Sequence, residues 1–112
     1  MKKSERNRLD TLWSNKIHES DESCRVCRRQ DRKLEAAHIV GRGAYNTRWR
    51  LDNGILLCFT CHQDYDQHRN HMEDKIRRII GEDKWDELQK LGTEVGKKYF
   101  YDEVLERING KS

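Results

Sequence analysis

The chain has 112 residues, a net charge of +3, 38% charged residues and only 34% hydrophobic residues. This length favours one domain with a small core, which cross-links or a metal would help to stabilise. No apolar stretch is as long as a membrane span, and the N-terminal MKKSERNRLD lacks the apolar segment of a signal peptide. We therefore expect an intracellular, reducing, cytoplasmic location without membrane contact.

The first half of the chain predicts a helix, a turn-rich knuckle and a hairpin. Helical spacing of apolar residues over 4–19 indicates an amphipathic helix. The knuckle is SDESCRVCRRQDRK, and Lys33–Val40 then reads as a strand that Gly41 and Gly43 end. A loop leads to Asn53-Gly54, a strong hairpin-turn signal, and 55–58 forms the second strand.

The second half is predicted to be helical. From about Thr60 there is no helix breaker until Gly81, so this segment predicts one long helix. One or two further helices follow. Their apolar residues are expected to pack on the rest of the chain: Trp85, Leu88, Leu91, Val95, Phe100, Val104, Leu105 and Ile108.

Two Cys-x-x-Cys pairs, Cys24–Cys27 and Cys58–Cys61, are the strongest chemical signal. Two such knuckles supply the four thiolates of a tetrahedral zinc site, and in a reducing compartment they favour zinc over disulfides. A redox dithiol is the rival interpretation. Thirty residues separate Cys27 from Cys58, more than the roughly 15–20 of a compact zinc ribbon. That insert is long enough to hold a complete hairpin.

The hairpin and the following helix carry residues suited to phosphodiester chemistry. His62 and Asp66, four residues apart on one helix face, could bind one divalent cation such as Mg²⁺. The unperturbed pKa of a histidine, near 6.5, suits His38 to act as a general base at neutral pH. Asn53 could brace the loop that carries His38. Structural readings stay open: a packed histidine, ordinary turn chemistry, a surface pair, or His62 as an alternative zinc ligand beside Cys61.

Together these motifs resemble the HNH endonucleases, nucleases of the ββα-metal fold. The resemblance runs through Cys24-x-x-Cys27, LEAAHI (34–39), DNGILLC (52–58) and CHQDYD (61–66), over roughly residues 20 to 70. It is closest to small stand-alone phage or bacterial members with a four-cysteine structural zinc. It implies a small α+β fold, a ββα-metal hairpin-plus-helix core stapled by zinc and flanked by an N-terminal helix and C-terminal helices. The whole chain, 1–112, would be one domain, with a motif core of about 20–80 and a helical extension over 82–110.

The resemblance also implies roles for individual residues. His38 matches the general base that activates water, and Asn53 matches the asparagine that orients the hairpin loop. His62 matches the ligand of the catalytic divalent metal, and Asp66 lies where some members have a further ligand. Many members have Asp or His where this chain has Ala37, which leaves the metal short of one ligand. Glu35 is a candidate to compensate for that loss. The structural zinc would be bound by Cys24, Cys27, Cys58 and Cys61.

The resulting expectation is a metal-dependent DNA endonuclease that nicks DNA with low sequence specificity. Residues 25–50 include eight basic and only two acidic residues. This excess of positive charge favours a polyanion partner, although a solvated surface is the plainer interpretation. The alternative function is a non-catalytic, zinc-stabilised DNA-binding module or adaptor. The protein would act as a monomer or homodimer, with phage or host DNA-processing proteins as further partners. Six arginines are the expected phosphate contacts: Arg25, Arg28, Arg29, Arg42, Arg48 and Arg50.

Overall fold

The computed structural model describes residues 1–95 and 98–110. These residues form one two-stranded antiparallel sheet, six α-helices and a single 3₁₀ turn. The elements in chain order are α1 (Lys3–Glu19), β1 (Leu34–His38), α2 (Tyr45–Arg48), the 3₁₀ turn (Leu51–Asn53), β2 (Gly54–Cys58), α3 (Phe59–Gln67), α4 (Arg69–Ile80), α5 (Glu82–Thr93) and α6 (Tyr101–Ile108). The expected small α+β class, with a hairpin followed by a helix, is confirmed.

The two faces of the sheet are covered by different helices. Alternate side chains of each strand point to opposite faces, so Ala37, Ile55 and Leu57 lie on one face and Leu56 on the other. The first face packs against α3, α4 and α5 through the buried Tyr65, Met72, Ile76, Trp85 and Leu88. The second packs against α1 and α6 through the buried Leu9, Trp13, Ile17, Val104 and Ile108. The chain therefore buries its sheet between two small helical layers.

The connection between the two strands differs from the expected tight turn. The register pairs Leu34 with Cys58 and His38 with Gly54, so β1 ends two residues before Val40 and the long segment 39–53 joins the strands. Gly54 is the first residue of β2, and its backbone is extended. Helix α1 explains this glycine: a Cβ there would collide with Ile17 and would lie 2.8 Å from Trp13 Cζ2. Close helix approach, and not turn geometry, therefore accounts for the Asn-Gly pair.

The long helix expected between Thr60 and Gly81 is interrupted at His68. The backbone of His68 (φ −130°, ψ 56°) leaves the helical region, and its N–H still bonds the Asp64 carbonyl at 2.7 Å. No glycine or proline marks this position, so periodicity alone could not reveal it. Tyr65 of α3 and Met72 of α4, on either side of the break, are both buried in the same core cluster.

The C-terminal apolar residues divide into buried and exposed groups. Trp85, Leu88, Val104 and Ile108 are buried as expected, but Val95 is 92% exposed and Phe100 is 60% exposed. Both exposed residues lie between α5 and α6, outside any helix, where helical spacing does not determine which way a side chain points. The expectation that they pack on the core was wrong. Within the described ranges, no helix has the length and apolar character needed to cross a membrane.

Candidate active site and metal centre

The two knuckles bring the four cysteines together at one end of the sheet. The sulfur atoms of Cys24, Cys27, Cys58 and Cys61 all lie within 4.8 Å of one another. Cys27 Sγ and Cys58 Sγ are 3.7 Å apart, close to the roughly 3.8 Å between thiolates bound tetrahedrally at about 2.3 Å from zinc. The donor set and its spacing therefore fit a structural zinc ion, and His62 is not part of this cluster.

Backbone amides of the knuckles already favour thiolate. The N–H of Cys27 donates to Cys24 Sγ, and that of Cys61 donates to Cys58 Sγ, each at 3.5 Å. Burial acts to raise the pKa of Cys24, but backbone hydrogen bonds outweigh it and lower that pKa to about 7. Burial and the neighbouring sulfurs raise the pKa of Cys61. Four adjacent thiolates need a cation to balance their charge, which zinc would supply.

His38, the last residue of β1, is held in one orientation by its neighbours. Its Nε2 lies 3.0 Å from the carbonyl oxygen of Arg48. A carbonyl only accepts, so Nε2 carries the proton and Nδ1 of the neutral ring keeps its lone pair. Burial is the main reason that the pKa of His38 lies below its usual 6.5, although the Arg48 carbonyl and Asp10 partly oppose that effect. The imidazole is therefore neutral, and able to accept a proton, at neutral pH.

Trp13 of α1 is a site residue that sequence reasoning treated only as a helix-packing residue. Its ring stacks on the His38 imidazole with centroids 3.9 Å apart and planes 7° from parallel. The indole Nε1 donates to the Arg50 carbonyl at 2.8 Å, which fixes the indole itself. No local pattern could have revealed this contact, because 25 positions separate Trp13 from His38 in the sequence.

Asn53 is fully buried and joins the two ends of the inter-strand connection. Its Oδ1 accepts from the Val40 N–H at 2.8 Å, and its Nδ2 donates to the Val40 carbonyl at 3.0 Å. The Ile39 N–H also donates to the Asn53 carbonyl, at 2.9 Å. These bonds fix the backbone directly after His38, which is the bracing contact that the sequence suggested for this asparagine.

His62 on α3 lies between two carboxylates. Its Nδ1 is 2.9 Å from Glu35 Oε1, and its Nε2 is 3.8 Å from Asp66 Oδ2. An ionised carboxylate accepts, so Nδ1 is the donor and Nε2 is left as a ligand atom. Two donors 3.8 Å apart can share one cation at about 2.1 Å from each. Glu35 therefore orients the histidine and does not replace the ligand missing at Ala37.

One cavity of about 370 Å³ brings His38, His62 and Asp66 together. It also receives Asp10, Trp13 and Ser14 from α1, and Arg42 and Arg69 from the segments after β1 and α3. Ala36 lines this cavity, whereas Ala37 is 1% exposed and packs in the core on the other face of the strand. In this chain the position expected to bear a metal ligand is therefore occupied by a core alanine.

Asp10 was not recognised in the sequence, yet it organises the cavity wall. Its carboxylate accepts from Arg48 Nη2 at 2.7 Å and from Trp49 Nε1 at 2.8 Å. Burial acts to raise the pKa of Asp10, but these hydrogen bonds and the charge of Arg48 and Arg42 lower it below 3.8. The carboxylate stays ionised and holds the segment whose Arg48 carbonyl orients His38.

The six arginines expected to contact phosphates have different surroundings. Arg28 and Arg42 are exposed, and their side chains make no hydrogen bond or ion pair within the described ranges. Arg25 pairs with Asp21, and Arg29 pairs with Asp31, each at 3.2 Å near the surface. Arg48 is only 8% exposed and bonds Asp10, and Arg50 bonds Asp52 at 2.7 Å. The guanidinium groups of Arg48 and Arg50 are engaged in these ion pairs, so they have few N–H donors left for a phosphate.

The comparison with protein families gives one match, the HNH endonuclease profile, over residues 24–73. Residues 24–73 are similar to the HNH endonucleases. This HNH segment holds both knuckles, His38, Asn53, His62 and Asp66, and its fold is the zinc-knuckle, hairpin and helix described above. The match supports a nuclease of the HNH type. No curated protein and no solved structure matches the chain.

Part of the cavity wall comes from outside the matched segment. Helices α1, α5 and α6 are not part of the match, although Trp13 and Asp10 of α1 line the same cavity as His38 and His62. The HNH segment therefore supplies the histidines, and a helix from before it supplies part of the wall around them.

Proposed function

We propose that the chain is a catalytically active, metal-dependent DNA endonuclease that hydrolyses phosphodiester bonds. The observation that carries the proposal is the shared cavity: a neutral His38 with an unprotonated Nδ1 lines the same space as the His62 and Asp66 pair. A base and a cation site are the two components that hydrolysis of a phosphodiester requires.

In the proposed reaction His38 is the general base. Nδ1 takes a proton from the water that attacks phosphorus, and the stacked Trp13 and the Arg48 carbonyl keep the imidazole in one orientation as it becomes charged. Asn53 acts as a positioning residue, because it fixes the backbone of Val40 two residues beyond the base. The reaction breaks the bond from phosphorus to the leaving oxygen.

His62 and Asp66 would hold the divalent cation. The Glu35 carboxylate accepts the Nδ1 proton of His62, so Nε2 is available to the metal. When bound, Mg²⁺ or a similar cation stabilises negative charge on the phosphoryl group and the leaving oxygen. Two protein ligands are few, but Mg²⁺ commonly keeps several waters.

Arginine side chains without strong ion pairs support binding of the DNA backbone. Arg42 lines the cavity without an ion pair in the described parts of the chain, and Arg28 is similarly free on the first knuckle. Arg25 and Arg29 have only surface pairs, which phosphates can displace at little cost. Such contacts read no base sequence, so we expect nicking with low specificity and an affinity that falls with salt.

The whole chain, 1–112, would act as one nuclease domain, either as a monomer or as a homodimer. Helix α1 packs on the sheet and contributes to the cavity, and α6 packs against α1, so neither flanking helix is separate from the site. One site per chain cuts one strand, and a double-strand break would need two chains or two nicks.

One observation favours the alternative of a non-catalytic DNA-binding module. In the described residues, the cysteine cluster is the only group of three or more His, Cys, Asp or Glu side chains placed to share a metal. The catalytic cation would therefore depend on His62 and Asp66 alone. A module of this kind would bind DNA in a salt-sensitive way, would not cleave it with any divalent cation, and would still bind after His62→Ala.

Nicking of supercoiled plasmid by zinc-loaded protein separates the two functions. The reaction is run with Mg²⁺, Mn²⁺, Ni²⁺ or Zn²⁺ and with EDTA as the control for metal dependence. We expect nicking with Mg²⁺ or Mn²⁺, and we expect His38→Ala to lower the rate by about 10²–10⁴-fold, the usual contribution of a general base.

His71→Ala is the matched control, because His71 is an exposed histidine of α4 that does not line the cavity. It should nick like the wild type. Equal rates for His38→Ala and His71→Ala would refute the proposed mechanism. Salt-sensitive DNA binding without cleavage under every cation would identify the binding module instead.

A further inference from the structure

A second and larger cavity, of about 510 Å³, is lined in part by the segment that orients His38. Its walls include three aromatic rings, those of Tyr45, Trp49 and Tyr99. Tyr45 is 38% exposed and packs edge-on against Trp49 with centroids 5.2 Å apart. A volume of this size accommodates a small organic ligand, and aromatic side chains are suited to stack on a planar ligand.

The polar groups in this cavity are mostly engaged with one another. Asn46 donates to the Leu91 and Glu94 carbonyls at 2.9 and 2.8 Å and accepts from the Tyr99 hydroxyl. Arg50 and Lys84 both bond Asp52, and hydrogen bonding from Arg50 is the main reason that the pKa of Asp52 falls to about 2. These side chains are therefore held by one another and offer few free donors or acceptors to a ligand.

Arg107 of α6 is the exception. It lines the cavity, is exposed, and its side chain has no hydrogen bond or ion pair within residues 1–95 and 98–110. A free guanidinium beside aromatic rings fits a ligand that has a planar, uncharged part and an anionic part. A nucleobase with its phosphate has this composition.

The position of the cavity relates it to the nuclease site. One segment contributes to both cavities: the Arg48 carbonyl bonds His38, which lines the first cavity, and the next residue, Trp49, lines the larger one. Trp49 Nε1 also bonds Asp10, which lines the first cavity. A base against the exposed Tyr45 would therefore contact the same segment that orients His38.

We propose that the larger cavity binds one unpaired nucleobase, with its phosphate at Arg107, from single-stranded or locally opened DNA. This inference rests on the proposed function, since DNA is taken as the substrate. Stacking is available to every base, so the cavity would select unpaired DNA over duplex without reading sequence. It would also position the strand for cleavage at His38.

The test is the binding of fluorescein-labelled oligothymidylate to zinc-loaded protein without added divalent cation, followed by fluorescence anisotropy. We expect Tyr45→Ala to weaken binding by about 5- to 150-fold, the range for loss of one base–aromatic stack. Arg107→Gln should reduce the salt slope of log K by about 0.7, the value for one phosphate on a single strand. Phe100→Ala and Arg78→Gln are controls, as both residues are exposed and neither lines the cavity.

An abasic oligonucleotide of the same length separates stacking from loss of structure. Wild type should prefer oligothymidylate over it, and Tyr45→Ala should lose most of that preference. A preference that is unchanged in Tyr45→Ala, or effects equal to those of the two controls, would overturn the proposal. Nicking is measured separately with plasmid and Mg²⁺, so absence of nicking with base-dependent binding intact refutes only the endonuclease function.

Discussion

Replacing Trp13 by Leu tests whether helix α1 controls the general base. Trp13 is 2% exposed, covers one face of His38 at 3.9 Å, and bonds the Arg50 carbonyl at 2.8 Å. The smaller side chain leaves part of that volume empty and one carbonyl without its donor, which together cost about 3 kcal/mol. Folded domains are stable by roughly 5–15 kcal/mol, so the variant should fold, with a Tm lower by roughly 10–20 °C.

The same substitution should change the titration of His38. Burial is the largest cause of its lowered pKa, so exposing the ring moves that pKa back up toward 6.5. The base works when neutral, so nicking is fastest above the pKa and declines as the pH falls through it. The acid limb should therefore move to higher pH in Trp13→Leu. It should stay near the wild-type position in Trp13→Phe, which keeps a ring over His38 and loses only the indole hydrogen bond.

Titration of the His38 imidazole by NMR measures this pKa directly, and kcat/KM for plasmid nicking between about pH 5 and 8 gives the acid limb. Zinc content and circular dichroism establish that each variant is folded. If Trp13→Leu is folded and zinc-bound but His38 titrates as in the wild type, burial by Trp13 does not set that pKa and the reasoning fails.

Three further predictions concern the loop and the knuckles. Asn53→Ala leaves the N–H and carbonyl of Val40 without partners, so unfolding by denaturant should show a loss of about 2–4 kcal/mol, together with slower nicking; unchanged stability would contradict the bracing role. Arg28 has φ 66°, in the left-handed region, so Arg28→Gly should relieve strain and raise the free energy of unfolding by about 0.5 kcal/mol, seen as a higher Tm. Arg28→Ala, which keeps a Cβ, should show no such gain although it loses the same charge. Removal of zinc by a strong chelator should abolish the cooperative thermal transition seen by circular dichroism, and a chelated, metal-free protein that melts as before would exclude a structural role for zinc.

The elements that could be predicted from the sequence are those with a local signal. Apolar spacing located α1, and the two Cys-x-x-Cys pairs predicted the thiol cluster that the structure forms. The order of His38, Asn53 and His62 between and beside those pairs led to the HNH family, whose model matches residues 24–73. Each of these signals lies within one element, or within the spacing of one motif.

The errors arose where no local sequence pattern determines the structure. Asn53-Gly54 has the composition of a tight turn, but the strands are joined by the longer segment 39–53. Gly54 is instead required because Ile17 and Trp13 of α1 leave no room for a Cβ there. His68 carries no breaker signal, yet its backbone leaves the helical region, so the expected single helix is divided into α3 and α4. Val95 lies outside any helix, so its spacing carried no information about its exposure.

The sequence by itself determined which candidate groups the chain carries: four thiols in two knuckles, a histidine at the end of a strand, and a histidine and an aspartate one helical turn apart. The tertiary structure decided how these groups are held, because hydrogen bonds and ring stacking depend on distance in space and not along the chain. It placed Trp13 on His38, Glu35 on Nδ1 of His62 and Asp10 on Arg48. It also placed the Ala37 side chain in the core, while the neighbouring Ala36 lines the cavity.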